Sequence, residues 1–141
     1  MRTEGVFSPE TEAGAREAFE SVGPAAQVVV RETAKAMEFD REEYDERITG
    51  EVVETAREAL FASLLTVHVG SVEEWEAWQD DHPSYDVHRN GSEHVDNVVW
   101  HVVPFAETAV AATYQQKEEA AIGTLRRQAF GRIYDDLLKG A

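Results

Sequence analysis

Apolar residues recur every three or four positions through the first half of the chain, then in alternation or unbroken runs through much of the second. Thr11, Ala15, Ala18, Phe19 and Val22 share one stripe, opposite Glu12, Arg16, Glu17 and Glu20, which predicts an amphipathic helix. Ser8-Pro9-Glu10 supplies its start signals: a capping serine, a proline pre-set for the first helical position and an acid at the positive end. Gly23-Pro24 ends that helix and opens a second, running to about Glu38, with the apolar arc Ala26, Val29, Val30, Ala34 and Met37. Asp40 can cap a third, with Glu43 where a capping box wants it and Phe39 placed to staple onto Tyr44. Thr49-Gly50 restarts the helix, and Val52, Val53, Ala56, Ala59, Leu60, Ser63 and Leu64 lie opposite Glu51, Glu54 and Glu58. Residues 8–64 therefore read as helical hairpins.

The period changes near Leu65. Leu65 to Val69 reads as a short strand stopped by Gly70, and Ser71 with Glu74 forms a capping box for a short helix ended by His82-Pro83. Tyr85 to Arg89 is a further strand candidate, and Asn90-Gly91 is a tight-turn dipeptide. His94 to Phe105 and Thr108 to Gln115 are rich in Val, Thr, Trp and Tyr and predict two strands joined through Pro104-Phe105-Ala106-Glu107. A last helix is expected from about Gln116 to Leu138. Consecutive strands with short connections imply antiparallel pairing, and segregated helices must cover the sheet. The expectation is a single α+β domain over 1–141: helical 8–64, β-rich 65–115, C-terminal helix 116–138, the helices packed on a small antiparallel sheet.

Charge changes the picture of where such a chain works. Asp and Glu number 28 against 13 Lys and Arg, a formal charge of −15. That field repels phosphate backbones and anionic lipid, which argues against direct nucleic-acid or membrane-surface binding. Only Lys35, Lys117 and Lys139 are lysines; the other bases are arginines. Dense carboxylate with scarce lysine suits molar salt, where the Debye length falls to ~3 Å. Cysteine is absent, which excludes disulfides, thiolate nucleophiles and cysteine-ligated metals. The longest uncharged run, Ala59 to Val72, is shorter than a membrane span, and the first residues lead into no apolar signal core, so a cytoplasmic location is expected.

Three stretches carry a resemblance: Val6-Phe7-Ser8-Pro9-Glu10-Thr11-Glu12, Gly23-Pro24-Ala25-Ala26-Gln27-Val28-Val29-Val30-Arg31-Glu32, and Leu125-Arg126-Arg127-Gln128-Ala129-Phe130-Gly131-Arg132-Ile133-Tyr134. With them the chain resembles an uncharacterised haloarchaeal protein family, a domain of unknown function. The resemblance implies a salt-rich cytoplasm and brings no activity, cofactor or functional residue.

Candidate chemistry is sparse. All five histidines lie between His68 and His101, yet none forms a His-x-His pair or a His-x-x-x-His pair, so no metal and no cofactor are expected. His68 lies between Val67 and Val69, and His101 within Val98-Val99-Trp100-His101-Val102-Val103; on central strands each ring needs a partner, and either is a candidate general base. Gly70-Ser71 precedes a helix as an anion site would, but Glu73 and Glu74 already occupy that terminus. Trp75 and Trp78 share a face with Val72 and read as packing. Arg126 projects from the apolar arc Ile122, Leu125, Ala129, Phe130, Ile133 and Leu137, and needs a carboxylate or several carbonyls; Glu119, two turns earlier at nearly the same azimuth, is the sequence candidate.

These residues point first to a non-catalytic structural or protein-interaction domain of a halophilic cytoplasm. The alternative is a binder of small anionic ligands, or a hydrolase, using a His68, His101 and Arg126 neighbourhood. Convergence of those three on a concave pocket would favour the alternative, and dispersal the first reading. A homodimer through the β half is also expected, because Val98, Trp100 and Val102 alternate with Val99 and Val103 and leave apolar side chains on both faces of that strand.

Overall fold

The computed structural model describes residues 1–92 and 94–139. The helical half comprises α1 (Glu12–Ser21), α2 (Gly23–Ala36), α3 (Arg41–Arg47) and α4 (Gly50–Ser63). Thr11 caps α1 by accepting from the Gly14 amide, Asp40 caps α3 through the Glu43 amide, and Thr49 caps α4 through the Val52 amide. The start signal at Ser8-Pro9 is therefore displaced by three residues. Phe7 forms a parallel bridge to Leu65, which holds Ser8 and Pro9 in the entry to the helix. Pro24 sits in the first turn of α2, as its missing N–H allows.

The β half begins earlier in the chain than its periodicity suggests. A three-residue strand β1 (Arg2–Glu4), exposed along its length, lies on the edge of the sheet. Then come β2 (Val67–Ser71), α5 (Val72–Asp81), β3 (Asp86–Asn90), β4 (Asn97–Val103), a 3-10 turn at Pro104–Ala106 and β5 (Thr108–Tyr114). The capping box of Ser71 and Glu74 opens α5 with both reciprocal hydrogen bonds made. The C-terminal helix divides into α6 (Glu118–Ala129), a wide π-helical turn at Phe130–Tyr134 and α7 (Asp135–Lys139).

The α+β class is as expected, but the sheet is mixed rather than wholly antiparallel. Its order is β1-β2-β4-β5-β3, and β3 runs parallel to β5. The reason lies at Gly91. The connection from β3 to β4 does not fold back as a hairpin; it passes over the end of β5, which lies between them. Gly91 has φ +100°, and a Cβ there would lie 2.1 Å from Thr113 Oγ1, so a residue with a side chain cannot make this crossing unstrained.

Each sheet face has its own core. Val67, Val69, Val99, Val103 and Val110 face α1, α4 and α6. Phe61 stands at the centre of that side, with ring centroids of Phe7, Phe19, Phe130 and Tyr134 at 5.7, 5.6, 6.0 and 5.2 Å. On the other face α5 lays Trp75 against Val98, Trp100, Ala109 and Ala111, the alanines leaving room for the indoles. Trp75 and Trp100 are thus packing residues, and the unbroken apolar run of β4 follows from burial on both sides. The second face is closed by α5, so the premise that it needs a second copy to cover it does not hold. Helix α2 packs on α4 with Ala26, Val30 and Ala34 and turns its far side to solvent.

Candidate functional site

Two of the polar candidates, His101 and Arg126, meet at the junction between α4 and β2, where a helix end leaves carbonyls without intrahelical partners. Three consecutive carbonyls are satisfied there by three different means. Leu64 O accepts from the Val6 and Phe7 amides, both at 2.8 Å. Leu65 O accepts from Arg126 Nε at 3.0 Å, and Thr66 O from His101 Nδ1 at 2.7 Å. Gly5, with φ +114°, lets the N-terminal segment approach: a Cβ on it would stand 2.5 Å from Leu65 O.

His101 on β4 points into the larger core and is 1% exposed. A carbonyl only accepts, so Nδ1 carries the proton and Nε2 accepts from the Tyr134 hydroxyl at 2.8 Å. Burial lowers the imidazole pKa to about 4, against the Thr66 hydrogen bond, and the nearby His68 and Arg126 lower it further. Burial raises the Tyr134 phenol, which keeps it a donor. The ring is neutral and both nitrogens are engaged, so the lone pair a general base would turn on a substrate already holds a tyrosine hydroxyl.

Arg126 is half-buried; burial lowers its pKa and the Glu4 carboxylate opposes that shift. Glu119 does not hold it. The azimuth is shared, but two turns separate the side chains by ~10 Å along the axis. Glu119 also sits in the first, exposed turn of α6. The guanidinium takes the Leu65 carbonyl instead.

His68 is on the opposite face of the sheet. It pairs in register with Trp100, and the two rings stack at 5.5 Å, whereas His101, one residue on, points the other way. Burial lowers the His68 pKa. His68 Nδ1 and Trp100 Nε1 are both buried without a hydrogen-bond partner among the described residues. The three candidates therefore do not converge: His101 and Arg126 hold neighbouring carbonyls and His68 lies behind them. Five surface cavities of 280–420 Å3 are lined by other residues. His82 donates from Nδ1 to Trp78 O at 2.8 Å and stacks on that indole, and His88 Nε2 lies 3.2 Å from Asp86 Oδ2. Among the described residues no group of three or more His, Asp or Glu is placed to hold a metal ion.

The surface that sequence reasoning missed is apolar. A cavity of about 300 Å3 runs between α2 and α4, floored by Val30, Ala34, Ala56 and Ala59 and flanked by Val29, Met37, Phe39 and Val52. Val28, Val29, Met37 and Val52 are 44%, 46%, 58% and 39% exposed. The signal was present in Val28-Val29-Val30. At about 100° per residue three consecutive valines span some 200° of a helix, more than one neighbouring helix can cover.

A family model described as "Family of unknown function (DUF5809)" matches residues 6–135. No curated protein and no solved structure matches the chain.

Proposed function

This chain belongs to that family of unknown function, and we propose, from its own geometry, that it is a non-catalytic protein-interaction domain of a salt-rich, haloarchaeal cytoplasm. The reading rests on the α2–α4 face: Val29, Met37 and Val52 hold three large apolar side chains in water around the groove, on a surface otherwise dominated by carboxylates. The polar candidates His101 and Arg126 support it, since both, with Tyr134 on His101, are engaged in holding the α4–β2 junction. The acid excess and scarcity of lysine support the salt-rich setting, where self-repulsion is screened.

The chain's two methionines offer a test. Met1 is 72% and Met37 58% exposed, so both thioethers oxidise readily in the free protein. Hydroxyl-radical footprinting inside cells that produce the chain is expected to protect Met37 relative to Met1, whereas dilute purified protein oxidises at both. Equal oxidation in cells would remove the interaction reading.

A further inference from the structure

We propose that Asn90 is a site of spontaneous modification, converted through a succinimide to aspartate and isoaspartate, which the folded chain holds shut and the opening of β3 releases. The chemistry lies in the dipeptide Asn90-Gly91. The Gly91 main-chain nitrogen, after losing its proton to solvent, attacks Asn90 Cγ; a C–N bond forms and Nδ2 leaves as ammonia. Water then cleaves one C–N bond of the five-membered imide. Cleavage at Cγ leaves Asp in a normal chain, and cleavage at the main-chain carbonyl leaves isoaspartate, with one extra methylene in the backbone. In sum an amide and water give an acid and ammonia, with no change of oxidation state. Glycine favours the attack, since no side chain shields its nitrogen. The fold cannot replace it: Gly91 has φ +100°, and a Cβ there would lie 2.1 Å from Thr113 Oγ1. The strand crossing therefore fixes a labile dipeptide in the chain.

Three restraints oppose ring closure in the fold. Asn90 is the last residue of β3 and pairs with Ala112 of β5 in the parallel ladder, which keeps its backbone extended. The imide needs ψ turned well away from that range. The side-chain Nδ2, which is the leaving group, donates to Gln128 Oε1 on α6 and so fixes the rotamer. Thr113 Oγ1 reaches Asn90 O at 3.5 Å, on the peptide plane that would have to turn. Every one of these partners is lost when β3 separates. It is the edge strand of the sheet, paired with β5 alone among the described strands, so it can open while the rest stays folded. The rate in the fold is then the rate of the open chain multiplied by the fraction of time that β3 is open. Molecules that have opened for long become marked. The isoaspartate product cannot re-form the crossing unstrained, because its extra methylene lengthens the chain where Thr113 already crowds Gly91.

The test uses the full chain, with Asn97 as internal control: it is the other asparagine, and the β-branched Val98 that follows shields its own nitrogen. Trypsin cuts after Arg89 and Lys117, so one peptide carries both asparagines. The protein is held for weeks in ~3 M KCl, or unfolded in ~6 M guanidinium chloride, and conversion at each asparagine is followed by peptide mass and fragmentation. Asn90 is expected to convert in the unfolded chain and at least about tenfold more slowly in the folded one, with Asn97 intact in both. Gln128→Ala removes the acceptor for Nδ2 and is expected to speed conversion in the folded chain several-fold with circular dichroism unchanged, whereas Gln128→Glu keeps an acceptor and the protection. Conversion equally fast in both states, conversion in neither, or a folded rate that Gln128→Ala leaves unchanged overturns the proposal. Should Gln128→Ala disturb the fold, the wild type decides alone. At guanidinium concentrations below the global transition its rate is expected to rise ahead of the loss of helix, and a rate that only follows that loss overturns release through β3.

Discussion

Acidification reads out the buried histidine most directly. In the fold the His101 imidazole titrates near pH 4, because burial penalises its charged form more than the Thr66 carbonyl favours it. In the unfolded chain it titrates near its ordinary value of ~6.5. Neutral His101 thus contributes stability that is complete above about pH 6.5. Below that the unfolded state takes up a proton the native state refuses, and stability falls until about pH 4, where both states are protonated. A difference of roughly 2.5 pH units at ~1.36 kcal/mol each is about 3 kcal/mol, of which some 2–3 is lost by pH 4.5. His101→Gln removes the titrating group and keeps an amide that can donate toward Thr66. Half-buried acids with lowered pKa, such as Glu74 and Glu118, are common to both proteins and cancel in the difference. Chemical denaturation at pH 7, 6, 5 and 4.5 in constant molar KCl measures the two stability curves. The wild type is expected to lose about 2–3 kcal/mol more than the variant between pH 7 and 4.5. Salt will not erase this, because desolvation is not screened. Parallel curves would show that His101 is solvated or already charged in the native state, and the junction argument would fall.

Tyr134→Phe leaves His101 Nε2 without its donor and is expected to cost about 1–3 kcal/mol at pH 7, measured by the same denaturation. Arg126→Ala strands the buried Leu65 carbonyl and should cost about 1–3 kcal/mol, against less than ~0.5 for exposed Arg127→Ala; equal small effects would refute the contact. Gly91→Ala forces a side chain into a left-handed backbone and into Thr113, and is expected to cost about 2–4 kcal/mol; adding Thr113→Ala should recover only part, since the strained φ remains. Thermal melts between roughly 0.1 and 3 M KCl should rise with salt if the 28 acids against 13 bases are the dominant repulsion, and a flat or falling Tm would remove the halophilic reading.

What was legible in the sequence was local. The caps at Asp40 and Thr49 and the box of Ser71 with Glu74 are set by side chains reaching amides two or three residues away, and all form. The switch from helical to strand periodicity near Leu65, the place of Trp75 in the packing and the α+β class follow equally from periodicity and burial. Arg126 stood out as a base on an apolar arc that needs a carboxylate or carbonyls, and the Leu65 carbonyl is what it takes.

What the tertiary structure decided was every question of which distant group answers a local need. Arg126 could be met by a carboxylate or a carbonyl; the docking of α6 beside the α4–β2 junction chose Leu65 over Glu119. His68 and His101 read as equivalent strand histidines, yet one-residue alternation put them on opposite faces, and only strand order told which face held Tyr134. The parallel pairing of β3 with β5 hinged on Gly91 crossing a strand not yet reached in the chain. The exposed face of α2 is the same case in reverse. Its valines announce more apolar surface than one helix needs, but which of them stay in water is known only once α4 has taken its share. Periodicity reports contacts within a few residues; sheet order, face and docking are contacts between segments, and they are settled only by what the rest of the chain places beside them.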